Sequence, residues 1–214
     1  MTQSTGWQTP IERKRDWARE AEQVFWLGAA VLIAWVVGRV AWSVIGPVAA
    51  QVPAMALGIT ALAGSIPAGA QLSAADDHVT VVLADPTAGE RLLAVLAVVP
   101  QPLVLATVLA LLARWARSVR QGATFAASAA SRLTRIGQVT VLAGIGAYFL
   151  ETTAASMLRW DVLPNGVASS PSLASVLSSV GPALWWPTIG ACLGLVGEIV
   201  RRGVALRDEL EGVI

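Results

Sequence analysis

Four long apolar runs dominate the pattern of hydrophobic and polar positions. They cover about residues 24–48, 92–113, 136–157 and 180–200, and charged residues are rare inside them. A helix needs about 20 mainly apolar residues to cross the hydrocarbon core of a bilayer, and every run reaches that length. The pattern therefore predicts an all-α integral membrane protein, with residues 1–214 forming a single four-helix membrane domain.

Helix-start signals precede two of these runs. Thr9-Pro-Ile-Glu12 and Thr87-Ala-Gly-Glu90 each match a capping box, in which a threonine and a glutamate three residues later satisfy free backbone N–H groups. Inside the second run, Pro100 and Pro102 remove backbone donors and predict a kink. Gln101, between the two prolines, is a candidate polar contact within the helix bundle.

The stretch between the first two runs, residues 49–86, lacks a helical pattern. Five helix breakers interrupt its most apolar part: Pro53, Gly58, Gly64, Pro67 and Gly69. They disfavour a straight span, and a packed loop of about 40 residues is favoured over a re-entrant or surface-lying segment. The β-branched residues of His78–Leu83 predict one short strand within this loop.

Basic residues indicate which side of the membrane each loop faces. Twelve of the fifteen lysines and arginines lie before the first run, between the second and third, or after the fourth. Arg91 and Arg159 lie in the two other loops, and Arg39 lies inside the first run. Because short basic loops resist translocation, this distribution predicts cytoplasmic N- and C-termini, an extracellular loop at 49–86 and a multi-pass position in the cell inner (cytoplasmic) membrane.

Composition agrees with the lipid bilayer as the main partner. Hydrophobic residues make up 55% of the chain and charged residues 14%, whereas a soluble domain carries about 25% charged residues. Nine tryptophans fit anchors at membrane interfaces as well as packing within the bundle. The single cysteine, Cys192, excludes an internal disulfide and a multi-cysteine metal site.

No catalytic constellation is found in the sequence. There is one histidine, and neither a glycine-rich phosphate-binding motif nor a Cys/His cluster is present. Asp76, Asp77 and His78 are adjacent, but a metal site would need further ligands. Topology alone explains the arginines between the second and third runs. We therefore expect no enzyme activity, no catalytic residue, no cofactor, no metal and no direct nucleic-acid partner.

Two charged residues lie deep inside the apolar runs. Arg39 and Glu151 each lie 15 residues past the cytoplasmic start of a run, which places both roughly 22 Å into the membrane at about 1.5 Å per residue. A charge facing lipid is costly. This depth predicts a direct or water-bridged Arg39–Glu151 pair, and the alternative is that the two side chains snorkel separately to the outer interface.

A second ion pair is predicted at the cytoplasmic end of the fourth run. Glu198 lies one turn before Arg202 and at a depth similar to that of Arg114 and Arg135. We expect Glu198 to pair with one of these arginines and to hold the ends of the second, third and fourth helices together.

Stretches at the cytoplasmic ends of the spans resemble a known family. They are Gln121-Gly-Ala-Thr-Phe125 with Leu133-Thr-Arg-Ile-Gly137, and Glu198-Ile-Val-Arg-Arg-Gly203 with Leu206-Arg-Asp208 and Glu211-Gly-Val213. In this order they resemble small four-span bacterial membrane proteins grouped as domain of unknown function 2975, over roughly residues 92–214. Ala123-Thr124 departs from the proline usual before the phenylalanine, and Gly212 from a common threonine. The resemblance implies four helices, often a neighbouring gene for a helix-turn-helix regulator, and no established activity.

These observations favour a non-enzymatic signalling or regulatory membrane module that acts through a cytoplasmic protein partner. The expected partner surface consists of Gly122, Phe125, Glu198, Arg202 and Gly203, because the family-like residues cluster there. One alternative is a small-solute transporter or permeability element, suggested by the interrupted second helix and the intramembrane charges. A further alternative, an immunity or stress-protection membrane protein, has no supporting residue.

A stripe of small residues crosses the fourth run. Gly190, Gly194 and Gly197 are spaced to lie on one side of a helix, where they favour close helix contact. Packing within one chain is the favoured use, and a homo-oligomer is the alternative.

Overall fold

The computed structural model describes residues 10–53, 71–75, 78–83, 85–121, 127–162 and 173–211, and most of these residues are helical. The described elements follow one another in the order α1 Pro10–Ile45, β1 Val48–Pro53, β2 Gln71–Ala75, β3 His78–Leu83, α2 Ala88–Leu96, α3 Pro100–Arg120, α4 Ala127–Val162 and α5 Leu173–Glu211. Helix α1 begins at the proline of the first predicted capping box, whose threonine, Thr9, lies outside the described residues.

Four of these helices are long and apolar enough to cross a membrane. The candidate spans are Arg19–Ile45, Pro100–Arg120, Ala129–Arg159 and Ala183–Gly203. Large apolar side chains on them, such as Ile45 and Leu142, are exposed rather than buried. Lipid tails are as apolar as leucine, so a bilayer is a favourable environment for such side chains. The prediction of a multi-pass membrane protein with four spanning helices is confirmed at this level.

The second apolar run does not form one helix. Helix α2 ends at Leu96 and α3 begins at Pro100, so the candidate span is Pro100–Arg120 instead of the predicted 92–113. The kink expected at the prolines is a complete break in the helix. The first residues of the predicted run belong to α2, a short helix of 9 residues.

The chain divides into two compact units, to which α1, α4 and α5 each contribute a segment. The first, here called the arginine-rich unit, consists of residues 1–32, 105–142 and 186–214. Twelve of the fifteen lysines and arginines fall in these ranges. The second, called the sheet-bearing unit, consists of residues 33–104 and 143–185.

Small residues bring α4 and α5 together within the arginine-rich unit. A Cβ built on Gly137 would lie 2.6 Å from the carbonyl oxygen of Gly190, and one built on Gly197 would lie 2.7 Å from Thr134 Oγ1. Neither site has room for a side chain. The predicted use of Gly190 and Gly197 in packing within one chain is therefore confirmed, whereas Gly194 has open space at its Cβ position.

Alanines fill much of the rest of the arginine-rich unit's interior. Ala113, Ala116, Ala129 and Ala130 are buried, and Trp115 Nε1 donates a hydrogen bond of 3.1 Å from α3 to the carbonyl oxygen of Ala129 on α4. Short side chains allow helix backbones to approach closely, and this close packing replaces the hydrophobic driving force that helices lack in lipid.

A three-stranded antiparallel sheet characterises the sheet-bearing unit. Its strand order is β1-β3-β2, with Val48 opposite Leu83 and Gln71 opposite Val82. The predicted strand, His78–Leu83, is confirmed as the central strand β3. Strands β1 and β2 were not predicted, because Ala-, Ser- and Gln-containing segments carry little β-branched signal and form strands here by pairing with β3.

Candidate functional site

The break between α2 and α3 leaves very few unsatisfied backbone donors. The N–H groups of Val98 and Val99 both bind the carbonyl oxygen of Val95, at 3.1 and 2.9 Å, and so close a tight turn. The first helical bond of α3 runs from Leu103 N–H to the Val99 carbonyl oxygen at 3.1 Å. Pro100 and Pro102 have no N–H to satisfy. Gln101 therefore carries the remaining free backbone donor at the start of α3.

Glu151, on α4, satisfies that donor. The Gln101 backbone N–H donates to Glu151 Oε1 at 2.7 Å, and the Gln101 side-chain amide donates to Glu151 Oε2. The carboxylate thus caps α3 from another helix, at the end where the helix dipole favours negative charge. Both residues were singled out from the sequence, but their pairing with each other was not predicted, because 50 residues separate them.

The predicted direct pair between Arg39 and Glu151 is not formed within the described part of the chain. Both carboxylate oxygens of Glu151 bind Gln101, and the Arg39 side chain is exposed without an ion pair to any described residue. The exposed Arg39 side chain lies six residues before the end of α1, about 9 Å along the axis, which is within reach for snorkelling. Glu151 instead binds Gln101, so snorkelling of both side chains is not found either. A water-bridged pair stays a prediction.

Arg91 has a structural role that was not predicted from the sequence. Its Nη1 atom donates to the backbone carbonyl oxygens of Ser43 and Val44 at 2.8 Å each, and to that of Gly46 at 3.1 Å. Ser43 and Val44 lie in the last turn of α1, where carbonyl groups have no partner within the helix, and Gly46 directly follows it. Arg91 lies in α2, whose capping box is formed as predicted: Thr87 N–H donates to Glu90 Oε2 at 2.6 Å, and Glu90 N–H donates to Thr87 Oγ1. One arginine thus connects α1 to α2.

Glu198 pairs with arginines, but within its own helix. Its carboxylate lies 2.9 Å from Arg201 Nη2 and 2.9 Å from Arg202 Nε, and both partners follow it on α5. The expected pairing with Arg202 is found. The expected role in joining three helix ends is wrong for the described residues. Arg201 and Arg202 occupy the Glu198 carboxylate instead, because side chains three and four positions apart on one helix are neighbours.

A different glutamate joins helices in the arginine-rich unit. Glu22, on α1, lies 3.4 Å from Arg120 Nη2 in the last turn of α3. Its side chain is 13% exposed. No local sequence signal indicates this contact, because the two residues are 98 positions apart.

The predicted partner surface is described only in part. Gly122 and Phe125 lie outside the described residues. On α5, Arg201 and Arg202 are 67% and 77% exposed, and a Cβ on Gly203 would meet open space. Leu206, one turn later, is also largely exposed. Among the described residues, this end of α5 thus presents two cations, one carboxylate and one apolar side chain to its surroundings.

Metal-ligand candidates do not come together in the part of the chain that the structure describes. No three His, Cys, Asp or Glu side chains are grouped there, and Asp76 and Asp77 lie outside it.

The chain matches no protein-family model, no curated protein and no solved structure. The resemblance to domain of unknown function 2975 stays a prediction.

Proposed function

We propose that this protein is a non-enzymatic membrane module that transmits or modulates a signal by binding a cytoplasmic protein at the end of α5. The exposed group of Arg201, Arg202 and Leu206 carries the proposal. The ionic partner of both arginines among the described residues is Glu198 of the same helix. An exposed surface with both basic and apolar side chains suits recognition of a protein.

The proposed orientation places both termini in the cytoplasm of a bacterial cell, with the protein in the inner membrane. Twelve of the fifteen basic residues fall in the ranges of the arginine-rich unit, which contains the start of α1, the end of α3 and the end of α5. Basic residues near span ends favour the cytoplasmic side. This orientation makes the end of α5 accessible to cytoplasmic proteins.

A co-purification experiment tests the proposal. The full chain is extracted in mild detergent, and bound proteins are compared between the wild type and the Arg201→Ala/Arg202→Ala variant. Arg132→Ala is the matched control, because Arg132 is also an exposed arginine of the arginine-rich unit. We expect a specific partner whose recovery falls at least about tenfold in the double variant and is unchanged in the control. Equal recovery from all three proteins contradicts the proposal.

A second candidate function, solute transport, is favoured by one observation. The membrane-spanning helix α3 starts at a break, and a carboxylate from α4 binds its first free N–H group. Broken helices with polar groups at their ends form substrate sites in many transporters. Against this function, Gln101 engages both oxygens of Glu151. Protein-dependent solute uptake in proteoliposomes that is lost in Glu151→Ala would favour transport.

A further inference from the structure

A groove of about 460 Å³ runs along α1 in the arginine-rich unit. It is lined by Arg19, Glu22, Gln23, Trp26, Leu27 and Ala30, with Arg120 contributed by the last turn of α3. The α1 residues follow one another at spacings of three and one, so that they form one stripe along the helix. From Arg19 to Ala30 this stripe extends about 16 Å.

The polar and apolar residues of the groove are segregated along its length. The polar residues Arg19, Glu22 and Gln23 come first, and Trp26, Leu27 and Ala30 follow. Arg19 is the first residue of one candidate span and Arg120 is the last residue of another. The polar end of the groove therefore lies at the level of a membrane interface, and its apolar end lies beside the hydrocarbon core.

One acceptor in the polar end is not satisfied by the described residues. Glu22 Oε2 is buried and accepts no hydrogen bond, although Arg120 Nη2 lies 3.4 Å away as an ionic partner. A buried carboxylate oxygen without a hydrogen bond is energetically costly. The Glu22 side chain keeps 13% exposure, so a small movement of its carboxylate toward a donor in the groove would remove that cost.

We propose that this groove binds an aminophospholipid with a primary ammonium group, of the phosphatidylethanolamine type. The phosphate binds the guanidinium groups of Arg19 and Arg120, the ammonium donates to the Glu22 carboxylate, and an acyl chain lies along Trp26, Leu27 and Ala30. Basic pockets at span ends are known to take phospholipid head groups. This binding site is independent of the protein partner proposed for α5.

Two features of the groove narrow the choice of ligand. A trimethylated choline head group has the same charges but no N–H donor, so it cannot donate a hydrogen bond to the Glu22 carboxylate. A soluble phosphoethanolamine has the same head group but no acyl chain for the apolar end, where Leu27 is largely exposed. The proposed site should therefore prefer phosphatidylethanolamine to both.

Native mass spectrometry of the full chain in detergent measures this preference directly. Phosphatidylethanolamine, phosphatidylcholine, phosphatidylglycerol and soluble phosphoethanolamine are added separately at equal concentration. We expect phosphatidylethanolamine to be retained about tenfold more than phosphatidylcholine, because phosphatidylcholine lacks one charge-assisted hydrogen bond to the protein. Equal retention of these two lipids, stronger retention of phosphatidylglycerol, or equal binding of soluble phosphoethanolamine overturns the proposal.

Variants then assign the preference to the groove. Glu22→Gln should reduce the ratio of phosphatidylethanolamine to phosphatidylcholine to near one, because the acceptor loses its charge. Arg19→Gln, at an exposed position, should weaken retention of both lipids while leaving their ratio unchanged. Glu20→Gln is the matched control, since Glu20 is an exposed α1 residue that does not line the groove. The site lies elsewhere if Glu22→Gln keeps the wild-type ratio of phosphatidylethanolamine to phosphatidylcholine. It also lies elsewhere if Glu20→Gln changes this ratio as much as Glu22→Gln does.

Discussion

At the scale of single residues, two long-range polar contacts compensate for interruptions of the helices. Glu151 caps the start of α3 after the Pro100 and Pro102 break, and Arg91 binds the carbonyl groups that end α1. Backbone groups at a helix end have no partner within the helix. Both side chains therefore stabilise the fold by providing hydrogen bonds that the local sequence cannot provide.

The cap of α3 predicts a graded loss of stability. Gln101→Ala removes one hydrogen bond to Glu151, whereas Glu151→Ala also leaves the Gln101 backbone N–H without its partner. We expect Glu151→Ala to lower the free energy of unfolding by about 1.5–3 kcal/mol and Gln101→Ala by less, with non-additive losses in the double variant. Unfolding in mixed micelles measures both. Additive losses of unfolding free energy in the Gln101→Ala/Glu151→Ala variant would contradict a direct contact. A second double variant, Arg39→Gln/Glu151→Ala, tests the water-bridged pair, and non-additive losses there would favour it.

The cap of α1 makes a separate prediction at Arg91. Arg91→Ala frees three backbone carbonyl groups, and we expect it to lower the free energy of unfolding by about 1–3 kcal/mol. Arg91→Lys should restore part of the loss, because an ammonium can still donate to these carbonyl oxygens but lacks the fixed geometry of a guanidinium. Arg159→Ala, at an exposed arginine, serves as the control in thermal unfolding. Equal decreases in the melting temperature for Arg91→Ala and Arg159→Ala would show that the contact of Arg91 with the end of α1 does not stabilise the fold.

At the scale of elements, glycine determines how closely α4 and α5 approach. Gly137→Ala would place a Cβ 2.6 Å from the Gly190 carbonyl oxygen, whereas Gly194→Ala meets open space on the same pair of helices. We expect Gly137→Ala to cost about 1–3 kcal/mol. Gly194→Ala should be neutral or stabilise by up to about 1 kcal/mol, because alanine is the better helix former. Thermal unfolding checks this prediction, because Gly137→Ala should melt at a lower temperature than Gly194→Ala. The reverse order would contradict the close packing of α4 against α5 at Gly137.

The elements also show which features the sequence can predict. Hydropathy predicts the four spans because a helix in lipid must satisfy its own backbone and expose apolar side chains. The central strand His78–Leu83 was predictable from its β-branched residues, whereas β1 and β2 depend on pairing with it. The prolines predicted a kink. A complete break also requires a partner for Gln101 N–H, and that partner lies 50 residues away.

The candidate sites were less predictable, because pairing depends on three-dimensional proximity. Glu198 was expected to cross between helices, but Arg201 and Arg202 compete from the same helix at three and four residues' distance. The contact of Glu22 with Arg120 has no counterpart in any local pattern. Depth along a helix singled out Arg39 and Glu151 in the sequence, and Glu151 makes a contact between helices in the structure. It did not indicate which side of its helix each residue occupies.

At the scale of the whole molecule, the orientation in the membrane is the first claim to test. In a Cys192→Ser background, single cysteines at the exposed positions Asp85 and Arg202 report on the two sides of the membrane. We expect a membrane-impermeant maleimide to label Asp85→Cys in intact spheroplasts and Arg202→Cys only in inverted vesicles. Labelling of Arg202→Cys from outside would reverse the orientation and remove the basis for a cytoplasmic partner.

The most direct test of the central claim is photo-crosslinking in living cells from the end of α5. A photoreactive amino acid replaces Leu206, and the control replaces Leu142, an exposed residue inside the third candidate span. The account predicts an adduct with a cytoplasmic protein from position 206, weakened by Arg201→Ala/Arg202→Ala, and no such adduct from position 142. Adducts at neither position, or the same adducts at both, would contradict a partner surface on α5.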